Sequence, residues 1–387
     1  MRSSTDRILT THVGALPPVS GIWTAGGADE ARMRQAVVDV VRRQRACGVD
    51  LVNEGEYTKA GHWTQFVSER LAGFEPTAER STLKLMTDSE DWKEFSAFYQ
   101  AAAAGGTLFE STRSTGDQTR NMDWACTSPV RYVGQRVLQR EIDCLRSALG
   151  EGAPGDAFLT STAPASLEPG RENRYYQSEE QYVYALADAM RVEYEAIAQA
   201  GFLLQVDDAW LAALWDRIGV QMGLAAYQRW CTVRVDALNH ALRNIPEERV
   251  RYHLCWGSWH GPHAHDIPMQ DIVHLMLRVK AQAYLFEAAN ARHEHEFTIW
   301  EQVRLPDHKI LVPGVVSHAT TLIEHPELVA LRIRRFADIV GRDRVIAGTD
   351  CGLGLRCHEQ VAWAKLKALA EGAAFASQSL WGRKPAA

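Results

Sequence analysis

The sequence lacks an excess of basic charge. Its 42 Lys and Arg residues are outnumbered by 48 Asp and Glu residues, which leaves a formal net charge of -6. A protein that grips the phosphate backbone needs clustered positive charge, and this chain as a whole does not supply it. We therefore expect no nucleic-acid partner.

Long apolar runs are also missing. No stretch approaches the ~20 consecutive apolar residues that span a bilayer, and residues 1–10 lack the apolar core of a secretory signal. Cysteine is also scarce. The seven present in 387 residues are too few for a disulfide scaffold, and their odd number leaves at least one without a partner in the chain. We expect a cytoplasmic protein without a membrane partner, in which each cysteine is a core residue, a metal ligand or a nucleophile.

Short apolar runs recur along the chain, and most are followed by a segment with helical periodicity. This alternation is typical of β-α-β units. The runs are Ile8–Gly14, Val49–Glu56, Phe158–Pro164, Phe202–Asp208, Val250–Gly257, Ala283–Ala289, Ile310–Val316 and Val345–Cys351. Eight parallel strands with outer helices form an α/β fold of the (β/α)8 TIM barrel type, which is our prediction for residues 1–387.

The alternation is interrupted over residues 57–156, where a single crossover should be much shorter. We predict a long insertion after the second strand, which serves as a lid region. Within it, Ala125–Tyr132 is a further strand or a hairpin over one mouth of the barrel. No internal repeat or Pro-, Gly- and Ser-rich linker divides the chain, so a single elaborated barrel domain is the simplest account.

Reactive side chains close three of the runs. The catalytic groups of such barrels project from the C-terminal ends of the strands. His253 and Cys255 end the fifth run and point the same way, because residues two apart share one face of a strand. Glu287 lies near the end of the sixth run, and Cys351 ends the eighth. Sulfur combined with nitrogen favours tetrahedral zinc over magnesium or calcium, so these four residues predict a zinc site.

Two other interpretations stay open at this point. In the first, the cysteines are buried core thiols and His253 is a hydrogen-bonded core histidine. In the second, the metal is purely structural or absent, and the barrel is a binding or regulatory protein. A structural zinc usually draws Cys pairs from short knuckles rather than from separate strands.

These residues resemble the zinc site of the cobalamin-independent methionine synthase family, in its C-terminal catalytic barrel. The resemblance rests on the His-x-Cys at His253 and Cys255, on Glu287, and on Asp350-Cys351-Gly352. It extends in order over nearly the whole chain. The other similar segments are Thr10-Thr11-His12-Val13-Gly14-Ala15-Leu16-Pro17, Glu54-Gly55-Glu56, Gln205-Val206-Asp207-Asp208 and Val316-Ser317-His318.

The resemblance implies an enzyme in which zinc binds a thiol substrate and makes it nucleophilic. It implies that Glu287 is the ligand that yields its place and that His318 donates a proton to the leaving group. Asp207 then orients His318 or binds a substrate amine, and Glu56 is a second anchor for that amine. The substrate-binding candidates in the opening loop are His12 and Gly14.

The sequence also departs from the family pattern. The opening loop has Ala15 where the family has a serine that helps to hold the amino-acid substrate. The single barrel resembles the shorter relatives, which include core-type methionine synthases and epoxyalkane:coenzyme M transferase. We predict methyl transfer to homocysteine or a similar thiol; the alternatives are thiol addition to an epoxide and thioether C–S lysis. The methyl or alkyl donor stays open among a folate, a corrinoid protein and an epoxide.

Overall fold

The computed structural model describes residues 1–24, 27–60, 66–77, 87–105 and 123–382. Three parts of the predicted insertion, residues 61–65, 78–86 and 106–122, lie outside the described residues. In the described part of the chain, no helix combines the length and the apolar character needed to cross a membrane.

Seven of the eight apolar runs form one parallel sheet. Counted over all sheets, the strands of the described residues are β1 (Leu9–Thr10), β2 (Trp23–Thr24), β3 (Gly27–Ala28), β4 (Leu71–Thr77), β5 (Asp123–Tyr132), β6 (Phe158–Thr162), β7 (Arg171–Asn173), β8 (Leu203–Asp208), β9 (Val250–Leu254), β10 (Ala283–Phe286), β11 (Ile310–Val316) and β12 (Ile346–Thr349). The large sheet has the order β1-β12-β11-β10-β9-β8-β6, and its neighbouring strands are parallel. The strand prediction is confirmed for these seven runs.

The second run, Val49–Glu56, is not a regular strand, contrary to the prediction. It forms one parallel bridge, between Val52 and Ala157. The side-chain amide of Gln44 occupies the next backbone position: the Asn53 N–H donates to Gln44 Oε1 at 3.0 Å, and Gln44 Nε2 donates to the Asn53 carbonyl at 2.7 Å. A side chain therefore replaces the neighbouring strand as the hydrogen-bond partner.

The two edges of the large sheet nevertheless meet across this segment. The N–H groups of Asp50 and Leu51 both donate to the carbonyl of Thr10 in β1, at 3.1 Å. On the other side, the N–H of Phe158 in β6 donates to the carbonyl of Val52 at 3.0 Å. The sheet is therefore curled, and the α/β architecture is TIM-like.

The helices that alternate with the strands of the curled sheet pack against its outer face. The α-helices of the described residues are α1 (Glu30–Ala46), α2 (Glu90–Glu94), α3 (Ser96–Gly105), α4 (Gln135–Leu149), α5 (Glu179–Gln199), α6 (Trp210–Ala213), α7 (Val220–Met222), α8 (Leu224–Ala241), α9 (Met269–Met276), α10 (Pro326–Val340) and α11 (Glu359–Trp381). Strand β10 shows the two layers: Ala283 and Leu285 belong to a small inner cluster, whereas Tyr284 and Phe286 belong to the large core shared with the helices. This alternation is what a strand buried on both faces produces.

Residues 57–156 contain most of a smaller sheet. Strand β5 pairs antiparallel with β4 and parallel with β7, so of the two alternatives for Ala125–Tyr132, a further strand is the one observed. The last part of the range forms α4, a helix that was not predicted, and α4 packs against α1.

A buried ion network joins this smaller sheet to the barrel. Arg70, just before β4, pairs with Glu193 of α5 at 2.9 Å and with Glu141 of α4. Glu193 also accepts hydrogen bonds of 2.6 Å from Ser161 in β6 and from Tyr132 in β5. Burial alone would raise the pKa of Glu193, but Arg70 and the two hydroxyl groups outweigh burial and lower it. An ionised carboxylate therefore links the two sheets.

Candidate metal centre

Two cysteines and a histidine meet at the carboxyl ends of β9 and β12. His253 lies in β9, Cys255 directly follows it, and Cys351 lies two residues beyond β12. All three side chains are buried, and their donor atoms lie within 4.8 Å of one another. The two Sγ atoms are 3.7 Å apart. The structure thus brings one ring nitrogen and two sulfur atoms into a single group.

Glu287 lies beside this group and also beside a second one. Its Oε1 is 3.9 Å from the Sγ of Cys255 and accepts a 3.1 Å hydrogen bond from the backbone N–H of Trp256. Donor atoms of Glu287, His318 and Asp350 also lie within 4.8 Å of one another. Glu287 therefore stands between the cysteine-containing group and an oxygen-rich group.

The Asp350 carboxylate is held by the chain itself. Its Oδ1 accepts hydrogen bonds of 2.8 Å from the N–H groups of both Ala288 and Ala289. Strand β11 has Gly314 opposite, where a Cβ would lie only 2.2 Å from that same oxygen. Only glycine allows Asp350 to approach β11 this closely. The two hydrogen bonds from Ala288 and Ala289 in turn fix the segment that follows Glu287.

Asp207 holds the ring of His253. The two residues are in register on the neighbouring strands β8 and β9, and His253 Nδ1 lies 3.0 Å from Asp207 Oδ1. The other ring nitrogen, Nε2, is buried without a well-formed hydrogen bond to any described residue. A metal-bound histidine generally gives its second nitrogen to a carboxylate or carbonyl group, so this arrangement fits Nε2 as a ligand atom.

The proton affinities in this group follow from burial and neighbouring charge. A hydrogen bond from Cys255 holds the pKa of Cys351 well below its usual value, and the same pairing raises the pKa of Cys255. Burial would lower the pKa of His253, but its hydrogen bond to Asp207 and its interaction with the nearby sulfur of Cys351 raise it to about 10. A metal ion would displace these protons, because it binds thiolates and neutral imidazole.

Two hydrogen bonds reach the sulfur atoms from the segment after β9. The hydroxyl of Ser258 donates to the Sγ of Cys351 at 2.8 Å, and the N–H of Gly257 donates to the Sγ of Cys255 at 3.2 Å. Such bonds stabilise negative charge on sulfur. The two bonds would therefore support the thiolates that a metal ion requires at both positions.

Part of the predicted insertion packs against the same segment. The indole N–H of Trp259 donates to the hydroxyl of Tyr99 in α3 at 3.1 Å. Asp91 of α2 accepts hydrogen bonds from the N–H groups of Ala264, at 2.9 Å, and His265, at 3.2 Å. Residues 87–105 thus lie at the mouth of the barrel and fix the loop that carries Ser258.

The substrate-binding candidates Gly14 and Glu56 lie side by side. Gly14 has φ +144, and a Cβ there would come within 2.8 Å of Glu56 Oε1. Gln205 connects them to the metal-binding group, because its Nε2 donates to the carbonyl of Val13 and to Asp207 Oδ1, the latter at 2.8 Å. Gly14, Glu56 and Asp207 therefore lie along one connected set of contacts beside the metal-binding group.

His12 lies in a different environment. Its Nε2 is 2.7 Å from the side-chain oxygen of Gln44 in α1, and its ring meets Phe158 edge-on, with the ring centroids 5.5 Å apart. Burial lowers the pKa of His12 to about 4. Its contacts are those of a packed neutral side chain, and its role in substrate binding stays a prediction.

The orienting contact of His318 comes from Arg356. The Nη1 of Arg356 lies 3.1 Å from His318 Nε2, whereas Asp207 hydrogen-bonds to His253 and Gln205. Burial lowers the pKa of His318 to about 3. The ring is therefore neutral at neutral pH, and its role as a donor to the leaving group stays a prediction.

The catalytic-domain model of cobalamin-independent synthases matches residues 164–374, which is more than half of the chain. The chain belongs to this family. The matched range contains all four predicted metal ligands together with Asp207 and His318. The resemblance inferred from the motifs is thereby confirmed.

Individual relatives are distant in sequence, but their alignments cover most of this chain. The methionine synthase of Thermococcus kodakarensis is 21% identical over 349 residues, which cover 90% of this chain and 84% of that protein. The 2-hydroxypropyl-CoM lyase of Xanthobacter autotrophicus is 22% identical over 351 residues, covering 83% of this chain and 88% of that protein.

Solved structures of methionine synthases share the fold. A B12-independent methionine synthase from Shewanella sp. W3-18-1, in complex with selenomethionine, superposes with a TM-score of 0.72 at 18% identity. The alignment covers 97% of this chain and 100% of that one. The putative vitamin-B12 independent methionine synthase from Listeria monocytogenes gives a TM-score of 0.61 at 17% identity, with coverage of 95% and 98%. At these identities the likeness shows the fold alone.

The sequence analysis did not identify three polar residues that contact the predicted site residues. They are Ser258, which donates to Cys351, Asn290, whose amide donates to Glu287 Oε2 at 2.7 Å, and Arg356, which contacts His318. Ser258 and Asn290 each stand three residues after a predicted ligand, and Arg356 stands five residues after Cys351. A polar residue shortly after a strand-end ligand was the signal available in the sequence.

Proposed function

We propose that this chain is a zinc-dependent transferase that activates a thiol substrate for methyl or alkyl transfer. The observation that carries the proposal is the group of His253, Cys255 and Cys351, whose donor atoms lie within 4.8 Å of one another. Nitrogen with two sulfurs suits tetrahedral zinc, and the buried Nε2 of His253 lacks a well-formed hydrogen bond among the described residues. Glu287, 3.9 Å from Cys255, would complete the set.

A bound zinc ion would supply the Lewis acidity that keeps a substrate thiol deprotonated at neutral pH, where a free thiol with a pKa of ~8.5 is mostly protonated. The protein's own side chains prepare that position. Asp207 orients His253, and Ser258 holds Cys351. Burial raises the pKa of Glu287 to about 7, and this carboxylate is the ligand that we propose to yield its place to the substrate thiol.

The substrate would lie between the metal-binding group and the opening loop. We propose that Glu56 and Asp207 bind a substrate amine. Gly14, which has no side chain, would leave the space that the amine needs, and the packed ring of His12 would support the opening loop. His318 would donate a hydrogen bond from the N–H of its neutral ring to the leaving group. These roles are supported by the hydrogen bonds of Gln205, which connect the opening loop to Asp207.

Two reactions fit this site. Methyl transfer to homocysteine, from a folate or a corrinoid protein, is the first candidate, since the matched family is a synthase catalytic domain. Thiol addition to an epoxide, or the reverse thioether lysis, is the second. It is favoured by the similar identity to a 2-hydroxypropyl-CoM lyase and by Ala15, which removes a polar contact of the family pattern. Parallel incubations of homocysteine with methyl donors and of 2-mercaptoethanesulfonate with epoxides separate the two.

We also propose that residues 1–387 are one domain located in the cytoplasm. The segment Val49–Glu56 would close the barrel in place of an eighth strand, as its hydrogen bonds to both edge strands suggest. Residues 57–156 would form an insertion that shields the thiolate from water. The packing of residues 87–105 on the loop after β9 supports that role.

The metal content tests the central proposal. We expect about one zinc per chain in the intact protein, because the four ligands complete one tetrahedral site. Zinc should be lost in Cys255→Ser and in Cys351→Ser but retained in the control Cys47→Ser, whose thiol is remote from this group in the fold. X-ray absorption at the zinc edge should show a sulfur ligand replacing an oxygen when homocysteine or 2-mercaptoethanesulfonate is added. A protein without stoichiometric metal, or with coordination that no thiol alters, would contradict the proposal.

A further inference from the structure

Arg356 is a buried cation whose terminal nitrogens both meet histidines. The side chain is 7% exposed, with Nη1 3.1 Å from His318 Nε2 and Nη2 3.0 Å from His260 Nδ1. The turn that carries Arg356 is anchored on the opening loop, because the N–H of Gly354 donates to the carbonyl of Ala15 at 3.0 Å. The position of the guanidinium is therefore set by the fold.

The chemistry of these two groups leaves one protonation pattern for His318. A guanidinium carries only N–H donors and has no acceptor. The Nε2 of His318 must therefore offer its lone pair to Arg356, and the ring proton must reside on Nδ1. We propose that Arg356 is a positioning residue that fixes His318 as the Nδ1–H tautomer. That Nδ1 is buried and has no hydrogen-bond partner among the described residues.

This tautomer has two consequences at the site. The lone pair of His318 Nε2 is occupied, so this nitrogen does not ligate a metal although the ring lies near Glu287 and Asp350. The N–H that remains for a substrate is on Nδ1. The second consequence rests on the proposed transfer reaction, in which His318 donates to the leaving group, whereas the tautomer itself does not depend on that reaction.

The test is the ¹⁵N spectrum of the histidine rings in the metal-loaded protein. Protonated and unprotonated ring nitrogens of a neutral imidazole resonate at well-separated frequencies, and the signals of His318 are those missing in His318→Asn. We expect Nδ1 protonated and Nε2 unprotonated in the wild type and in Arg356→Lys, which keeps a cationic donor. In Arg356→Met we expect the Nε2–H tautomer to appear, with metal content unchanged.

Kinetics provide the second measurement. General acids and donors in the chemical step contribute ~10²–10⁴ in rate, so we expect Arg356→Met to lower kcat by about 10- to 100-fold with KM for the thiol nearly unchanged. Arg356→Lys should recover part of the loss. A wild-type His318 protonated on Nε2 would overturn the inference, even if Arg356→Met failed to fold. If the protein shows no transferase activity but His318 is the Nδ1–H tautomer, the proposed function is refuted and this inference stands.

Discussion

Asp207 and His253 face each other in register on adjacent parallel strands, with Asp207 Oδ1 3.0 Å from His253 Nδ1. This contact decides which ring nitrogen remains on the side of the cysteines. With Nδ1 engaged, Nε2 is the nitrogen available to a metal. A residue that the family resemblance assigned to the substrate is thus also placed to support the metal-binding group.

Asp207→Ala should weaken zinc binding. Carboxylate partners of metal-bound histidines typically contribute 10–100-fold in affinity, because they fix the ring and raise its basicity. We expect a loss of that size, measured by competition with a chromophoric chelator at constant pH. The matched control is Asp188→Ala, which removes the carboxylate from an exposed histidine pair with His240 at 2.9 Å. Equal affinities for Asp207→Ala and the wild type would restrict Asp207 to the substrate.

His318→Asn should lower turnover by ~10²–10⁴, the usual contribution of a proton or hydrogen-bond donor. Zinc content should stay unchanged, because His253, Cys255, Glu287 and Cys351 already complete a tetrahedral set. Steady-state kinetics and metal analysis of the same preparation check both statements. Loss of zinc would place His318 among the ligands instead of Glu287, and unchanged turnover would make His318 structural.

His12 should make the protein sensitive to acid. Its folded pKa is about 4 because of burial, whereas the unfolded value is ~6.5. The unfolded chain therefore binds the proton first, and stability falls as the pH drops from about 6.5 to 4, by up to about 3 kcal/mol. Urea unfolding at pH 7 and pH 5 should show a smaller loss in His12→Gln than in the wild type.

The control for this titration is His308→Gln, since His308 is 62% exposed. Between pH 7 and pH 5, the free energy of unfolding of His308→Gln should fall by as much as that of the wild type. If His12→Gln and the wild type lose the same free energy of unfolding, His12 is not the group responsible.

Arg70→Met should strongly destabilise the fold. The substitution leaves Glu141 and Glu193 buried without their shared cation, and breaking a buried pair in this way costs about 3–5 kcal/mol. Urea unfolding at pH 7 measures the loss. The control is Arg174→Met, whose 2.6 Å pair with Glu172 is about 40% exposed on each side and should contribute about 0–1 kcal/mol. Similar effects for the two variants would show that the network does not hold the smaller sheet to the barrel.

The sequence by itself determined the features that depend on local order along the chain. Apolar runs alternating with helical periodicity predicted seven strands of the curled sheet, because a buried strand needs apolar residues on both of its faces. The same local order put His253 and Cys255 on one face of β9, with Glu287 and Cys351 at the ends of other strands. Parallel strands bring their carboxyl ends to one side, so these residues had to meet.

Only the tertiary structure decided which side chains hold those residues in place. Val49–Glu56 has a strand-like pattern, yet the amide of Gln44 takes the backbone partners of Asn53. Arg356 reaches His318 across 38 positions of the chain, and no periodicity encodes that contact. Hydrogen bonds between side chains distant in sequence depend on exact separation and orientation, which the packing of the strands and turns sets after the pattern of apolar residues has chosen the fold.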